Sequence, residues 1–130
     1  MATHRKAIIV SATFVTATLV VGACSGGASA SCSPSGTELQ IAVLESRSHQ
    51  FNTDCLAAPA GEPFTIEFDN QDTSLHGNHN VHIFDGEDSF VGDIIRHGTS
   101  ITYEVDAFNA GTYRFWCDNH HEMDGTFIVK

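Results

Sequence analysis

The chain has 130 residues, with 16 acidic and 6 basic side chains and a formal net charge of −10. That balance makes nucleic acid and anionic lipid head groups poor partners, and it suits either plain solubility or a partner with a basic patch. Four cysteines, eight histidines and 42% hydrophobic residues fit one small domain with scope for disulfide and metal chemistry.

Taken in order, the chain begins with Arg5 and Lys6 ahead of an uncharged apolar run from Ala7 to Ala23. The run is short for a membrane span and long enough for a signal-peptide core. Residues 1–23 are therefore expected to be a targeting segment that is removed. Its end, Val20-Val21-Gly22-Ala23-Cys24, resembles a bacterial lipobox, in which cleavage leaves Cys24 as a lipidated first residue. The alternative is an ordinary secretory signal cut near Ala28 or Ala30. The first outcome anchors the protein to the cell membrane outside the cytoplasm; the second leaves it secreted or periplasmic and soluble. Either way Arg5 and Lys6 leave, so 4 basic residues face 16 acidic ones and the net charge becomes −12.

Residues 24–37 form the expected tether. From Ser25 to Thr37 the composition is Ser, Gly and Ala with too little apolar content to fold, and such a chain spans roughly 20 Å r.m.s.. The domain proper is expected at 38–130.

Within it, Glu38 to Leu44 alternates apolar and polar residues, and Ser46 to Asn52 is polar and irregular. The Pro59 to Pro63 stretch turns the chain into Phe64-Thr-Ile-Glu-Phe68, whose Phe64, Ile66 and Phe68 share one face. Asp69 to Asp72 reads as a turn, His79 to Phe84 as a strand, and Val91 to Ile95 as a short strand. Ser100 to Val105 alternates strictly, and Thr112 to Cys117 sends Tyr113, Phe115 and Cys117 one way and Arg114 and Trp116 the other. Gly125 to Val129 closes the domain. Asp106 to Ala110 has room for one helical turn at most. Seven to eight short strands with frequent turn residues predict an all-β fold, an antiparallel Greek-key β-sandwich.

The chemistry concentrates in Cys117-Asp-Asn-His120-His-Glu-Met123 between two strand-like runs, with His79-Asn80-Val81 about forty residues earlier. Thiolate and thioether favour Cu(I), imidazole serves both copper states, and a His₂Cys set with a weak axial Met is the blue-copper arrangement. These residues resemble the cupredoxin family of blue copper proteins, and the Cys-x₂-His-x₂-Met spacing is similar to the short ligand loop of the amicyanin type. The resemblance covers roughly Glu38 to Lys130. It implies one copper ion held by His79, Cys117 and His120 as strong ligands, with Met123 as the weak axial one. It also implies that Asn80, following the first histidine, hydrogen-bonds between the two ligand-bearing loops. His121 adjoins His120, and His76 and His82 flank His79 at three-residue intervals, so spacing alone leaves the choice of ligands open; the family pattern selects His79 and His120. Many relatives carry proline before the first ligand, where this chain has Leu75-His76-Gly77-Asn78.

With Cys24 assigned to lipid and Cys117 to metal, Cys32 and Cys55 are left as a disulfide pair in an oxidising compartment. The resemblance implies a one-electron carrier cycling between Cu(II) and Cu(I), with a redox partner protein, no nucleic-acid partner and no enzymatic activity; a monomer is expected. The alternative is an extracytoplasmic copper chaperone or storage protein that delivers copper to a membrane oxidase. His49, His76, His82, His97 and His121 exceed what a one-copper carrier needs, and they are read either as solvent-facing residues or as metal relays.

Overall fold

A computed structural model describes residues 31–45, 49–84, 86 and 89–130. The signal segment 1–23, Cys24 and the tether as far as residue 30 lie outside the described residues. Alternation of apolar and polar side chains produces eight strands. They are β1 (Glu38–Val43), β2 (Cys55–Ala58), β3 (Phe64–Asn70), β4 (His82–Phe84), β5 (Ser89–Val91), β6 (Thr99–Val105), β7 (Gly111–Cys117) and β8 (His120–Val129). No helix occurs among the described residues, and 106–110 stays irregular.

The strands form a three-stranded sheet, β1-β3-β6, and a five-stranded sheet, β2-β8-β7-β4-β5. This is the expected all-β sandwich, and most of its pairings are antiparallel; two are parallel, β1 with β3 and β2 with β8. A period of two tells which face a residue takes but not the direction of the neighbouring strand. Parallel neighbours need a crossover connection, and here the chain leaves the first sheet after β1, lays β2 beside β8, and returns as β3.

The inward rows of both sheets bury their apolar residues against each other. Ile41, Ile66 and Phe68 from one sheet and Ile83, Phe115 and Phe127 from the other are almost wholly shielded from water. Each such side chain contributes about 1.5–3 kcal/mol of burial free energy. Aromatic contacts tie the layers, with ring centroids 5.4 Å apart for both Phe64–Phe127 and Phe51–Phe115. Tyr113, Phe115 and Cys117 point inward as expected, Arg114 is exposed and Trp116 half-buried. The predicted disulfide is present: Cys32 and Cys55 are bonded with Cα atoms 6.0 Å apart, joining the segment ahead of β1 to the head of β2.

Four local expectations change. β2 is a strand that propensity hides, because Leu-Ala-Ala carries little β signal and only the pairing with β8 extends it. Asp69 and Asn70 continue β3 instead of turning, since they pair with Ser100 and Thr99. β4 starts at His82, while His79 forms an isolated bridge with Ile95. β5 ends at Val91 instead of running to Ile95, and Gly92 just beyond it packs against the Tyr103 ring, where an added Cβ would sit 2.6 Å from Cζ.

Candidate metal centre

The site lies where β7 turns into β8. Cys117 ends the inward row of β7, with a register irregularity between Trp116 and Cys117. Asp118 and Asn119 make the turn, and His120 opens β8 directly opposite Cys117. Met123, three residues further along β8, is buried. The bridge between His79 and Ile95, made by backbone hydrogen bonds of 3.0 and 2.9 Å, brings His79 to the same end of the sandwich.

Three donors converge there. Cys117 Sγ is 3.6 Å from His79 Nδ1 and 3.8 Å from His120 Nδ1, and the two Nδ1 atoms are 3.1 Å apart. Metal–nitrogen bonds of about 2.0 Å and metal–sulfur bonds of about 2.3 Å place trigonal donors roughly 3.5–3.8 Å apart, so the set fits one ion with a somewhat closed N–metal–N angle. A thiolate, two imidazoles and a nearby thioether suit copper. Cys117 is the one free cysteine among the described residues and has no exposed surface.

His79 is positioned by groups that sequence reasoning did not single out. Its Nε2 lies 2.8 Å from Asp72 Oδ2, and both residues are buried. A carboxylate can only accept at this contact, so a neutral His79 with its proton on Nε2 would turn the Nδ1 lone pair toward Cys117. Asp72 Oδ1 accepts from the Ser74 amide at 2.8 Å. Burial pushes the Asp72 carboxyl up, but the bonds from His79 and Ser74 outweigh it and hold it at about 2. Asn70 Nδ2 donates to Gly77 O at 2.7 Å and to Ile95 O at 3.2 Å, fixing the loop from below. At Gly77 a Cβ would meet Asp72 Cγ at 2.7 Å, so this position accepts only glycine unless Asp72 moves. In this chain the loop before the first histidine is therefore held by a buried polar network, not by a proline.

Asn80 joins the two loops. Its Nδ2 donates to Gly92 O at 2.9 Å and to Asp118 Oδ2 at 2.8 Å, while its Oδ1 accepts from Asp118 N at 2.9 Å. His82 Nδ1 lies 2.8 Å from Asp118 Oδ1 and its ring stacks on Trp116 at 4.2 Å. Burial raises the Asp118 carboxyl, and the bonds from Asn80 and His82 bring it below its ordinary value.

Of the surplus histidines, His76, His97 and His121 are exposed as expected, whereas His82 and His49 are half-buried. His49 stacks on His120 with ring centroids 4.0 Å apart and lies 6.0 Å from the His79 ring. It sits in a polar irregular stretch with no motif around it, so no sequence signal marks it as a neighbour of the site. Its backbone is left-handed, with φ 64°. Burial holds the His120 imidazole below its ordinary value, helped by the neighbouring His49 and His79.

A family model described as a cupredoxin-like domain matches residues 12–129. No curated relative matches the chain by sequence. Among solved structures, the chain is similar to dithionite-reduced auracyanin from the photosynthetic bacterium Roseiflexus castenholzii, at 23% identity and a TM-score of 0.62 over 72% of this chain and 97% of that one. A variant of amicyanin in its reduced Cu(I) form matches at 22% identity and a TM-score of 0.52, over 72% and 82% of the two chains. A copper-containing nitrite reductase from Thermus scotoductus matches at 26% identity and a TM-score of 0.54, over 72% of this chain but only 22% of the enzyme.

Proposed function

The chain belongs to the family of cupredoxin-like domains, and from that premise we propose that it is a one-electron carrier with a single type 1 copper site. The family binds copper, and His79, Cys117 and His120 form the group able to hold it. The observation that carries the reading is the convergence of these three donors, from two separate parts of the chain, around a buried thiol.

In this reading His79, Cys117 and His120 are the strong ligands and Met123 the weak axial one. When bound, copper supplies the Cu(II)/Cu(I) couple. The protein supplies rigidity: Cys117 and His120 face each other across a hydrogen-bonded hairpin, Asn80 ties that hairpin to the His79 loop, and Asp72 fixes the His79 ring. Ligands that stay in place between charge states keep the reorganisation accompanying each electron small. His120, half-buried beside solvent, is the exit for the electron. The donor set is complete without substrate, so the reading is of a carrier and not an enzyme.

The same reading places the protein outside the cytoplasm, with residues 1–23 as a lipoprotein-type signal, lipid at Cys24, a tether over 24–37 and the domain over 38–130. The Cys32–Cys55 disulfide supports an oxidising compartment. The redox partner is expected to dock through a basic patch, given the acidic balance of the chain.

The test is the visible and EPR spectrum of the purified protein after one equivalent of Cu(II). An intense thiolate charge-transfer band with narrow copper hyperfine splitting, lost in Cys117→Ser, is the expected result. A pale spectrum of the tetragonal kind would overturn it and favour copper storage or delivery to a membrane oxidase. One observation speaks for that second reading: a third imidazole, His49, lies against His120 with its Nε2 buried and without a hydrogen-bond partner among the described residues.

A further inference from the structure

We propose that Asp72 is a positioning residue for the copper site which also biases it toward Cu(II); this deepens the electron-carrier reading and rests on it. The two effects have separate physical causes. The first is tautomeric. Asp72 Oδ2, 2.8 Å from His79 Nε2, accepts the ring proton and so commits Nδ1 to the donor cluster, where it lies 3.6 Å from Cys117 Sγ. Such outer partners fix the orientation and raise the basicity of a ligand histidine.

The second effect is charge. A backbone carbonyl in place of the carboxylate would fix the tautomer equally well and remain neutral. This chain instead buries an anion, which is costly to take out of water, and satisfies its second oxygen with the Ser74 amide. Both Asp72 and His79 are shielded from solvent, so little water screens the carboxylate from the centre. A fixed negative charge attracts a doubly charged ion more than a singly charged one, so Asp72 stabilises the oxidised state over the reduced. The surroundings are built around this contact: Asn70 Oδ1 accepts from the Asp72 amide at 3.2 Å, and Gly77 gives the carboxylate room that no other residue would leave.

The experiment compares the wild type with Asp72→Asn, reading Cu(II) and Cu(I) affinities by competition with chelators, together with the reduction potential. Cu(II) affinity is expected to fall by about 10–100-fold, with Cu(I) affinity falling roughly tenfold less. A tenfold change in that ratio corresponds to a potential raised by about 59 mV. Equal losses in both oxidation states would leave Asp72 a positioning role alone and overturn the charge assignment. Unchanged affinities and potential would overturn both. Should Asp72→Asn fail to fold, nitrogen-15 NMR of the wild-type metal-free protein decides the tautomer: a proton on His79 Nε2 is expected, and a proton on Nδ1 would overturn the proposal. The wild-type spectrum after Cu(II) addition separates these outcomes from a failure of the copper reading, because that failure would show in the unmodified protein.

Discussion

Replacing Asn80 with alanine tests how the two ligand-bearing loops are held together. Asn80 is buried and makes three hydrogen bonds, to Gly92 O, Asp118 Oδ2 and Asp118 N, at 2.9, 2.8 and 2.9 Å. Asn80→Ala leaves the Gly92 carbonyl and the Asp118 amide without their partner. Each orphaned buried group costs about 1–3 kcal/mol. The Asp118 carboxylate, 34% exposed, regains water and keeps His82. The sum is about 2–6 kcal/mol, a large share of the 5–15 kcal/mol typical of a domain. Urea unfolding of the metal-free protein, followed by the fluorescence of the single tryptophan, Trp116, should show a lower midpoint with an unchanged slope. Copper affinity should fall by about 10–100-fold, because the Cys117 hairpin then moves relative to His79. A double-mutant cycle with Asp118→Ala isolates the Nδ2–Oδ2 bond and should give a coupling of about 0.5–3 kcal/mol. Stability within about 0.5 kcal/mol of wild type, the usual range of an inconsequential surface change, would refute the claim that Asn80 is the bridge.

Gly125→Ala should destabilise by about 1–3 kcal/mol through overpacking, since its Cβ would lie 2.4 Å from Phe115 Cζ and 2.7 Å from Asp54 O. At about 4–8 °C per kcal/mol for a domain this size, calorimetry would detect it, and an unchanged melting temperature would contradict the packing described. Cys55→Ser opens a loop with a sequence separation of 23 and should cost about 3 kcal/mol, read as a lower urea midpoint while the copper spectrum persists. His120→Ala should abolish the charge-transfer band and the exposed His121→Ala should keep it; the opposite pattern would reverse the ligand assignment. Asp72, lowered from 3.8 to about 2 in the fold, contributes stability that is complete above pH 3.8 and disappears as pH falls through about 2. The metal-free protein should therefore weaken over that window, and an acid limb identical in Asp72→Asn would rule out Asp72 as its source.

Residue order alone carried the strand faces, the four copper donors as candidates and, through their pattern, the family; the disulfide pair followed by elimination once Cys24 and Cys117 had other roles. Period-two alternation put Phe64, Ile66 and Phe68 on one face and Cys117 at the end of an inward row, and donor softness pointed to copper. Spacing alone left the choice among neighbouring histidines open and the family pattern selected His79 and His120; the fold adds that His120 faces Cys117 across a hairpin while His121 is exposed. The parallel pairings of β1 with β3 and β2 with β8 were likewise invisible, since a strand's pattern contains no information about its partner's direction. The contact of Asp72 with His79 and that of His49 with His120 escaped for the same reason. One read as part of a turn and the other as part of an irregular polar stretch, and their contacts with His79 and His120 form only when the chain is folded onto the same end of the sandwich.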